Sequence, residues 1–303
     1  MLFGIPEPTV ITWLSWLMII SGGFVMFSMI LGKRAVYGRY TVNSAIVIPG
    51  RLAWVVQEFP SFAVPLYYII GCQDTAGMVV LAAFLVHYFN RTFIYPLQIR
   101  SKNGTPWYIC LSAFTFCSWN GYVQGSYHGQ YYHPKGFFSH PLSYIGIGIF
   151  ALGMYINMQS DSILRNLRRP GETGYKIPRG GMFEYVSGAN FLGEMIEWTG
   201  YAIASGSLPA IAFAIFTASN IGPRAIHHHQ WYLSKFPDYP KNRKADKIVL
   251  GKKFWKILEE VLAHPRNGGI EREKRLDPDL CGKMLQKFSE ETLSGKEPIS
   301  SSV

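Results

Sequence analysis

Cysteine is scarce in this chain: four residues in 303, three of them (Cys72, Cys110, Cys117) at or within apolar segments. They form no CxxC pair and no spaced framework, which excludes a disulfide scaffold. Charge is sparse as well, at 16% of residues, and acids are the scarcer kind, 19 Asp and Glu against 29 Lys and Arg. No GxGxxG follows a strand, so a Rossmann-type dinucleotide cradle is excluded. Internal repeats are absent. Residues 1–9 hold no Lys or Arg and so lack the positive n-region of a cleavable signal; the first apolar span is expected to be retained.

What the chain does have is length of apolar sequence. Such segments lie near 9–31, 52–70, 77–97, 107–125, 141–160, 182–204 and 208–226. Each is close to the ~20 residues that cross ~30 Å of hydrocarbon. The second is interrupted by Glu58, Pro60 and Pro65, which suits a packed bundle better than an isolated span. Seven spans require their connections to alternate in charge. Those after spans one, three and five hold eleven basic residues (Lys33, Arg34, Arg39, Arg51, Arg100, Lys102, Arg165, Arg168, Arg169, Lys176, Arg179), and those after two, four and six hold one, Lys135. The positive-inside rule then places the C-terminus in the cytoplasm and the N-terminus across the membrane. The Asn103-Gly-Thr sequon falls in a cytoplasmic connection and is expected to stay unmodified. The net charge of +10 reads as topology plus an anionic ligand, with no feature pointing to nucleic acid. The expected fold is all-α: a polytopic membrane protein with seven transmembrane helices in one bundle over residues 1–247. Residues 248–303 form a polar extension, partly disordered, with one amphipathic stretch at 254–262.

Polar residues recur inside these segments at helical spacing. Ser187, Asn190, Glu194 and Glu197 step by three, four and three, and Tyr201 extends that face. A carboxylate at mid-bilayer costs roughly 2.5 kcal/mol or more on insertion scales, so it faces a bundle interior or a watered cavity and marks a binding function. Asn157, Asp161, Arg165 and Arg168 form a second face, Tyr88, Arg91 and Tyr95 a third with His87 beside them, Asn120 and Gln124 a fourth, and Arg224, His228 and Tyr232 a fifth. Five such faces in one apolar chain point to several helices converging on one large polar ligand.

The chemistry has three candidate seats. The basic face at 165–179, within LRNLRRPGETGYKIPRGG, sets arginines beside turn glycines and prolines, which suits a phosphate or pyrophosphate. His227, His228 and His229 point about 100° apart on a helix and cannot share one metal ion. No carboxylate or cysteine stands near them at zinc-ligand spacing, so no metal is expected and an imidazole is read as a partner for a ligand phosphate or ribose. Glu58 in WVVQEFPSF, with Tyr88 in the next span, forms a carboxyl–phenol pair able to polarise a carbonyl oxygen and stabilise an enolate; a purely structural hydrogen bond between spans is the competing reading.

With these residues in view the chain resembles the steroid 5α-reductases. The resemblance is carried by YINMQSDSILRNLRRPGETGYKIPRGGMFEYVSGANFLGEMIEWTGYAIAS and RAIHHHQWYLSKFPDYPKNRKA, supported by QEFPSF, HYFNRTFIYP and NGYVQG, and spans about 10 to 247. It combines features of type 1 and type 2 members. It implies a multi-pass enzyme of the endoplasmic reticulum membrane that uses NADPH to reduce the Δ4 bond of 3-oxo-Δ4 steroids such as testosterone and progesterone. By that resemblance Glu58 and Tyr88 are the carbonyl-polarising pair. Tyr37, Arg100, Asn157, Asp161, Arg168, Tyr175, Asn190, Glu194, Arg224, His228 and Tyr232 are cofactor-binding, and Trp54, Gln57, Phe116 and Trp198 meet the steroid. The chain departs from the pattern after Ala245, where family members commonly end in a short hydrophobic run and this one continues for some fifty residues. A related reductase of polyprenols or enoyl-CoA, and a non-enzymatic carrier of amphipathic lipids, are the alternative readings.

Overall fold

The computed structural model describes residues 4–32, 44, 46–100, 104–169, 172, 174–244, 256 and 260. Tyr37, Asn103 and nearly all of the 248–303 extension lie outside the described residues. Helical segments lie over each of the seven apolar stretches. They are α1 (Glu7–Ile30), α2 (Gly50–Ile70), α3 (Thr75–Phe89) continued by a π turn (Asn90–Ile94) and α4 (Tyr95–Gln98), α5 (Trp107–Ser126) continued by a π turn (Tyr127–Tyr131), α6 (Pro141–Asn166), α7 (Ala189–Ser205) and α8 (Leu208–Lys235). Among the described residues, three helical stretches, Glu7–Ile30, Thr75–Gln98 and Pro141–Asn166, are long and apolar enough to cross a membrane. The remaining helices, α2, α5, α7 and α8, do not meet that standard of length and composition.

Local chemistry sets the boundaries. The Asp74 carboxylate caps α3, accepting from Ala76 N at 2.8 Å and Gly77 N at 3.1 Å. Ser207 Oγ caps α8 through Ala210 N at 3.3 Å, and α7 ends on Gly206 in the left-handed region, φ 60°. Helix α2 runs unbroken through Pro60 and Pro65. The expectation of one polar face from Ser187 to Tyr201 needs correcting at its start. Gly180 and Gly181 have positive φ, residues Gly181–Glu184 form a short 3₁₀ turn, and α7 begins only at Ala189, leaving Ser187 off the helix. Arg168 likewise falls beyond the end of α6, whose C-cap is Leu167.

Helices α6 and α7 pack closest. A Cβ at Gly153 would lie 2.2 Å from Glu197 N, and one at Gly200 would lie 2.3 Å from Phe150 N, so any side chain there would drive the helices apart. Gly146 and Gly193 extend the same seam. Connections segregate to two ends. At one end Val47–Ile48 pairs with Thr105–Pro106, Arg51 reaches Ile99 O, Arg100 reaches Arg165 O, and Arg243 donates to Pro178 O at 2.8 Å. At the other, Glu7 accepts from Ser126 Oγ at 2.7 Å and Tyr131 Oη at 3.0 Å, and Tyr132 donates to Ser205 O at 2.6 Å. Described parts of the first, third and fifth connections thus meet at one end, and described parts of the later even-numbered ones at the other.

Candidate active site

The interior polar residues meet around Arg91. This side chain leaves the π turn that follows α3, an irregularity of a kind frequent at functional sites because it re-aims one side chain. Its guanidinium donates to Asp161 Oδ2 at 3.2 Å and lies over the rings of Trp54 (4.8 Å) and Tyr95 (4.4 Å). Glu194 and Glu58 also act on it electrostatically. Asn190 donates to Asp161 Oδ1 at 3.4 Å, and Asn157 donates to Asn190 O at 3.0 Å. Four helical elements thus contribute to one buried cluster: α2 with Trp54, the π turn with Arg91, α6 with Asn157 and Asp161, and α7 with Asn190 and Glu194. Sequence reasoning put Arg91 on a polar face but gave it no role. Its spacing from Tyr88 and Tyr95 was the signal.

Beside this cluster stands the carboxyl–phenol pair. Glu58 is half-buried on α2, and the Cys117 thiol of α5 donates toward its Oε2 at 3.8 Å. Tyr88 is buried on α3, and Asn120 Nδ2 donates to its hydroxyl oxygen at 3.5 Å. Ser61 stands within hydrogen-bond reach of that hydroxyl, and Cys117, Glu58 and Glu194 lie around it. Glu58 and Tyr88 do not hydrogen-bond each other directly; Cys117, missed from sequence, lies beside both. Trp198 is 1% exposed, its ring 6.0 Å from Tyr88 and 4.4 Å from Phe213. Phe116 stacks on Phe216 at 4.1 Å and approaches Phe213 at 6.3 Å, so these rings build one apolar wall. Gln57 is buried on α2. Trp54 belongs to the Arg91 side of the site and not to that wall.

Glu197 takes a different partner from its neighbours. It pairs with His87 Nδ1 at 2.7 Å, fully buried, instead of joining Asp161. The three histidines diverge. The His228 ring faces Phe191 at 5.4 Å, while His229 Nδ1 meets Ser187 Oγ at 2.6 Å, which accepts in turn from Tyr239 at 2.7 Å. Arg224 lies a turn earlier on α8, mostly buried, and Tyr232 stacks on Tyr239 at 5.1 Å.

Three further arginines flank a cleft beside the Arg51–Ile99 and Arg100–Arg165 contacts. A cleft of about 430 Å³ is lined by Arg51, Leu97, Gln98, Arg100, Arg165 and Asn166. Sequence reasoning gave Arg51 only a topological role. In the following loop Arg168 donates to Gly174 O at 3.4 Å and sits over Tyr175, whose ring contacts Trp231 at 4.8 Å. The loop braces itself: Glu172 accepts from Lys176 and from Arg169 N, and these donors hold its carboxyl below the usual range.

A large polar cofactor fits this architecture on one further ground. Trp54 Nε1, Thr92 Oγ1 and Ser160 Oγ are buried without a hydrogen-bond partner, and each neighbours the Arg91–Asp161 cluster in sequence or space. Buried polar atoms are almost always satisfied, so donors and acceptors orphaned together point to a ligand that completes them.

Comparison with known proteins agrees with this picture. A family profile described as 3-oxo-5-alpha-steroid 4-dehydrogenase matches residues 103–246. The 3-oxo-5-alpha-steroid 4-dehydrogenase 1 of Rattus norvegicus is 50% identical over 232 residues, covering 73% of this chain and 90% of the relative. The type 1 protein of Homo sapiens is 46% identical, covering 73% and 88%, and the type 2 protein of Homo sapiens is 46% identical, covering 72% and 89%.

Proposed function

This chain belongs to the 3-oxo-5-alpha-steroid 4-dehydrogenase family, an oxidoreductase of steroid metabolism, and we propose that it reduces the Δ4 double bond of 3-oxo-Δ4 steroids such as testosterone and progesterone with NADPH. The observation that carries this reading is the adjacency of two unlike halves. A polar, amide-rich cluster around the Arg91–Asp161 pair adjoins a Tyr88–Glu58 pair faced by an apolar wall.

In this reading Asn157, Asp161, Asn190 and Glu194, with Arg91, hold the cofactor near the substrate. Arg100 and Arg168 meet its phosphates through forked, permanently charged donors, and Tyr37, Tyr175, Arg224, His228 and Tyr232 complete its surroundings. NADPH, when bound, supplies the hydride that is added at C5. Gln57, Phe116 and Trp198 line the steroid and exclude water, and Trp54, under the Arg91 guanidinium, meets the steroid from the cofactor side. The Tyr88 hydroxyl donates to the C3 oxygen, and Glu58 adds a second polar contact there. Negative charge grows on that oxygen as the enone is reduced, so a donor aimed at it stabilises the transition state more than the ground state. Protonation at C4 completes the product.

The same reading takes all seven long helical segments across the endoplasmic reticulum membrane, N-terminus lumenal and C-terminus cytoplasmic, in keeping with Arg51, Arg100 and Arg165 lining one cleft. The test is turnover by purified protein with NADPH on a panel: a Δ4-3-keto steroid, a polyprenol and an enoyl-CoA. The expected result is a 5α-reduced 3-oxo steroid and no conversion of the other two. NADPH-dependent reduction of the polyprenol or enoyl-CoA alone would reassign the substrate, and no NADPH binding would favour a carrier.

A further inference from the structure

Behind Tyr88 runs a chain of side chains that the reaction does not touch. Asn120, Gln124 and His128 are 0% exposed and Tyr201 is 1% exposed. Asn120 and Gln124 share a face of α5, one turn apart. Gln124 Nε2 lies 2.8 Å from Pro209 O and 3.3 Å from Asn120 Oδ1. Its Oε1 accepts from Tyr201 Oη at 3.4 Å. His128 Nδ1 meets Gln124 O at 3.0 Å, and its other ring nitrogen meets Ser207 Oγ at 2.9 Å.

The direction of this chain is set by one group that can only accept. The carbonyl of Pro209 forces the Gln124 amide to present N–H to it, since the flipped amide would oppose two acceptors. The same NH₂ group then supplies a hydrogen to Asn120, which must present Oδ1 in return. Asn120 Nδ2 is left facing Tyr88, where it donates to the phenol oxygen at 3.5 Å. His128 fits this order. Its Nδ1 faces a carbonyl and so carries the hydrogen, which directs the Tyr201 hydroxyl to Gln124 Oε1. With the oxygen of Tyr88 accepting from Asn120, and the Ser61 hydrogen given to Cys117 O at 3.0 Å, the Tyr88 hydrogen is left to donate, with Ser61, Cys117 and Glu58 around it.

We propose that Asn120, oriented by Gln124 and the Pro209 carbonyl, is a positioning residue that fixes the Tyr88 hydroxyl as a hydrogen-bond donor to the substrate carbonyl. The inference rests on the proposed role of Tyr88. Links of 3.3–3.5 Å are long for the resting enzyme; catalytic hydrogen bonds commonly tighten when substrate binds.

A double-mutant cycle tests it. Asn120→Asp turns the donor into an acceptor that captures the Tyr88 hydrogen, and Asn120→Leu removes the donor at similar volume. Each should lower kcat roughly tenfold, the weight of about one buried hydrogen bond, with the NADPH KM unchanged. For Asn120→Asp the loss should shrink as pH falls, because the protonated acid can donate again. In a Tyr88→Phe background neither substitution should lower kcat further. Equal factors with and without the Tyr88 hydroxyl, or parent-like turnover in both Asn120 variants, would overturn the inference while leaving Tyr88 in place. Near-normal turnover of Tyr88→Phe itself would instead remove the reading on which it rests. Should either Asn120 variant fail to fold, as judged by its melting temperature in detergent, the other carries the cycle.

Discussion

Replacing Tyr88 by Phe is expected to cut kcat by ~10²–10³, the usual loss when one oxyanion donor is removed, and Glu58→Gln, which exchanges the carboxyl beside it for a neutral amide, to cut kcat as well. Both changes keep the shape of the side chain. Tyr88 is buried between Trp198 and Phe84, so a phenylalanine fills the same space without opening a cavity. Glu58→Gln retains an acceptor for the Cys117 thiol. The NADPH KM should stay close to that of the parent, because neither side chain hydrogen-bonds the Arg91–Asp161–Asn190 cluster. Steady-state kinetics on a Δ4-3-keto steroid, with NADPH varied, separates the two parameters. Near-normal kcat in both variants would reduce the pair to a structural contact between α2 and α3.

The second large effect belongs to Arg91. Its guanidinium faces Asp161 directly and acts on Glu194 and Glu58, so Arg91→Ala would strand several partly or fully buried carboxylates without their cation. Breaking a buried ion pair by removing one partner typically destabilises by ~3–5 kcal/mol. The loss of packing over Trp54 and Tyr95 adds to this. The variant should therefore show a lower melting temperature in detergent and weakened NADPH binding. Combining Arg91→Ala with Asp161→Asn should recover part of the stability, since the neutral amide no longer needs a cation, yet should not restore NADPH affinity. A single variant that melts like the parent and binds NADPH as tightly would contradict a central role for this residue.

Much of the helical layout could be read from the sequence, because apolar length and loop charge are local properties. The helical segments over the seven apolar stretches follow from the first of these. What could not be read depended on backbone irregularities or on distances between helices. The polar face of span six was drawn through Ser187, but Gly180 and Gly181 delay the helix to Ala189 and turn Ser187 toward His229 instead. The π turn at Asn90–Ile94 has no periodic signature, so Arg91 looked like one member of a stripe when it is the hub of a cluster. Glu197 appeared equivalent to Glu194, yet only folding sets His87 against it. The Asn120–Gln124 face was visible as a pair four residues apart; that it ends on Tyr88 is a long-range fact of the packing between α3 and α5.

The central claim, that hydride reaches C5 of a 3-oxo-Δ4 steroid from NADPH, is tested most directly by following the hydrogen. Purified protein would be given testosterone and NADPH deuterated at the transferable position of nicotinamide C4, and the product examined by mass spectrometry and NMR. The account predicts a 5α-reduced 3-oxo steroid carrying one deuterium, located at C5, with the hydrogen added at C4 coming from solvent. An unreduced steroid, or a reduced one with deuterium at C4 or none at all, would contradict it.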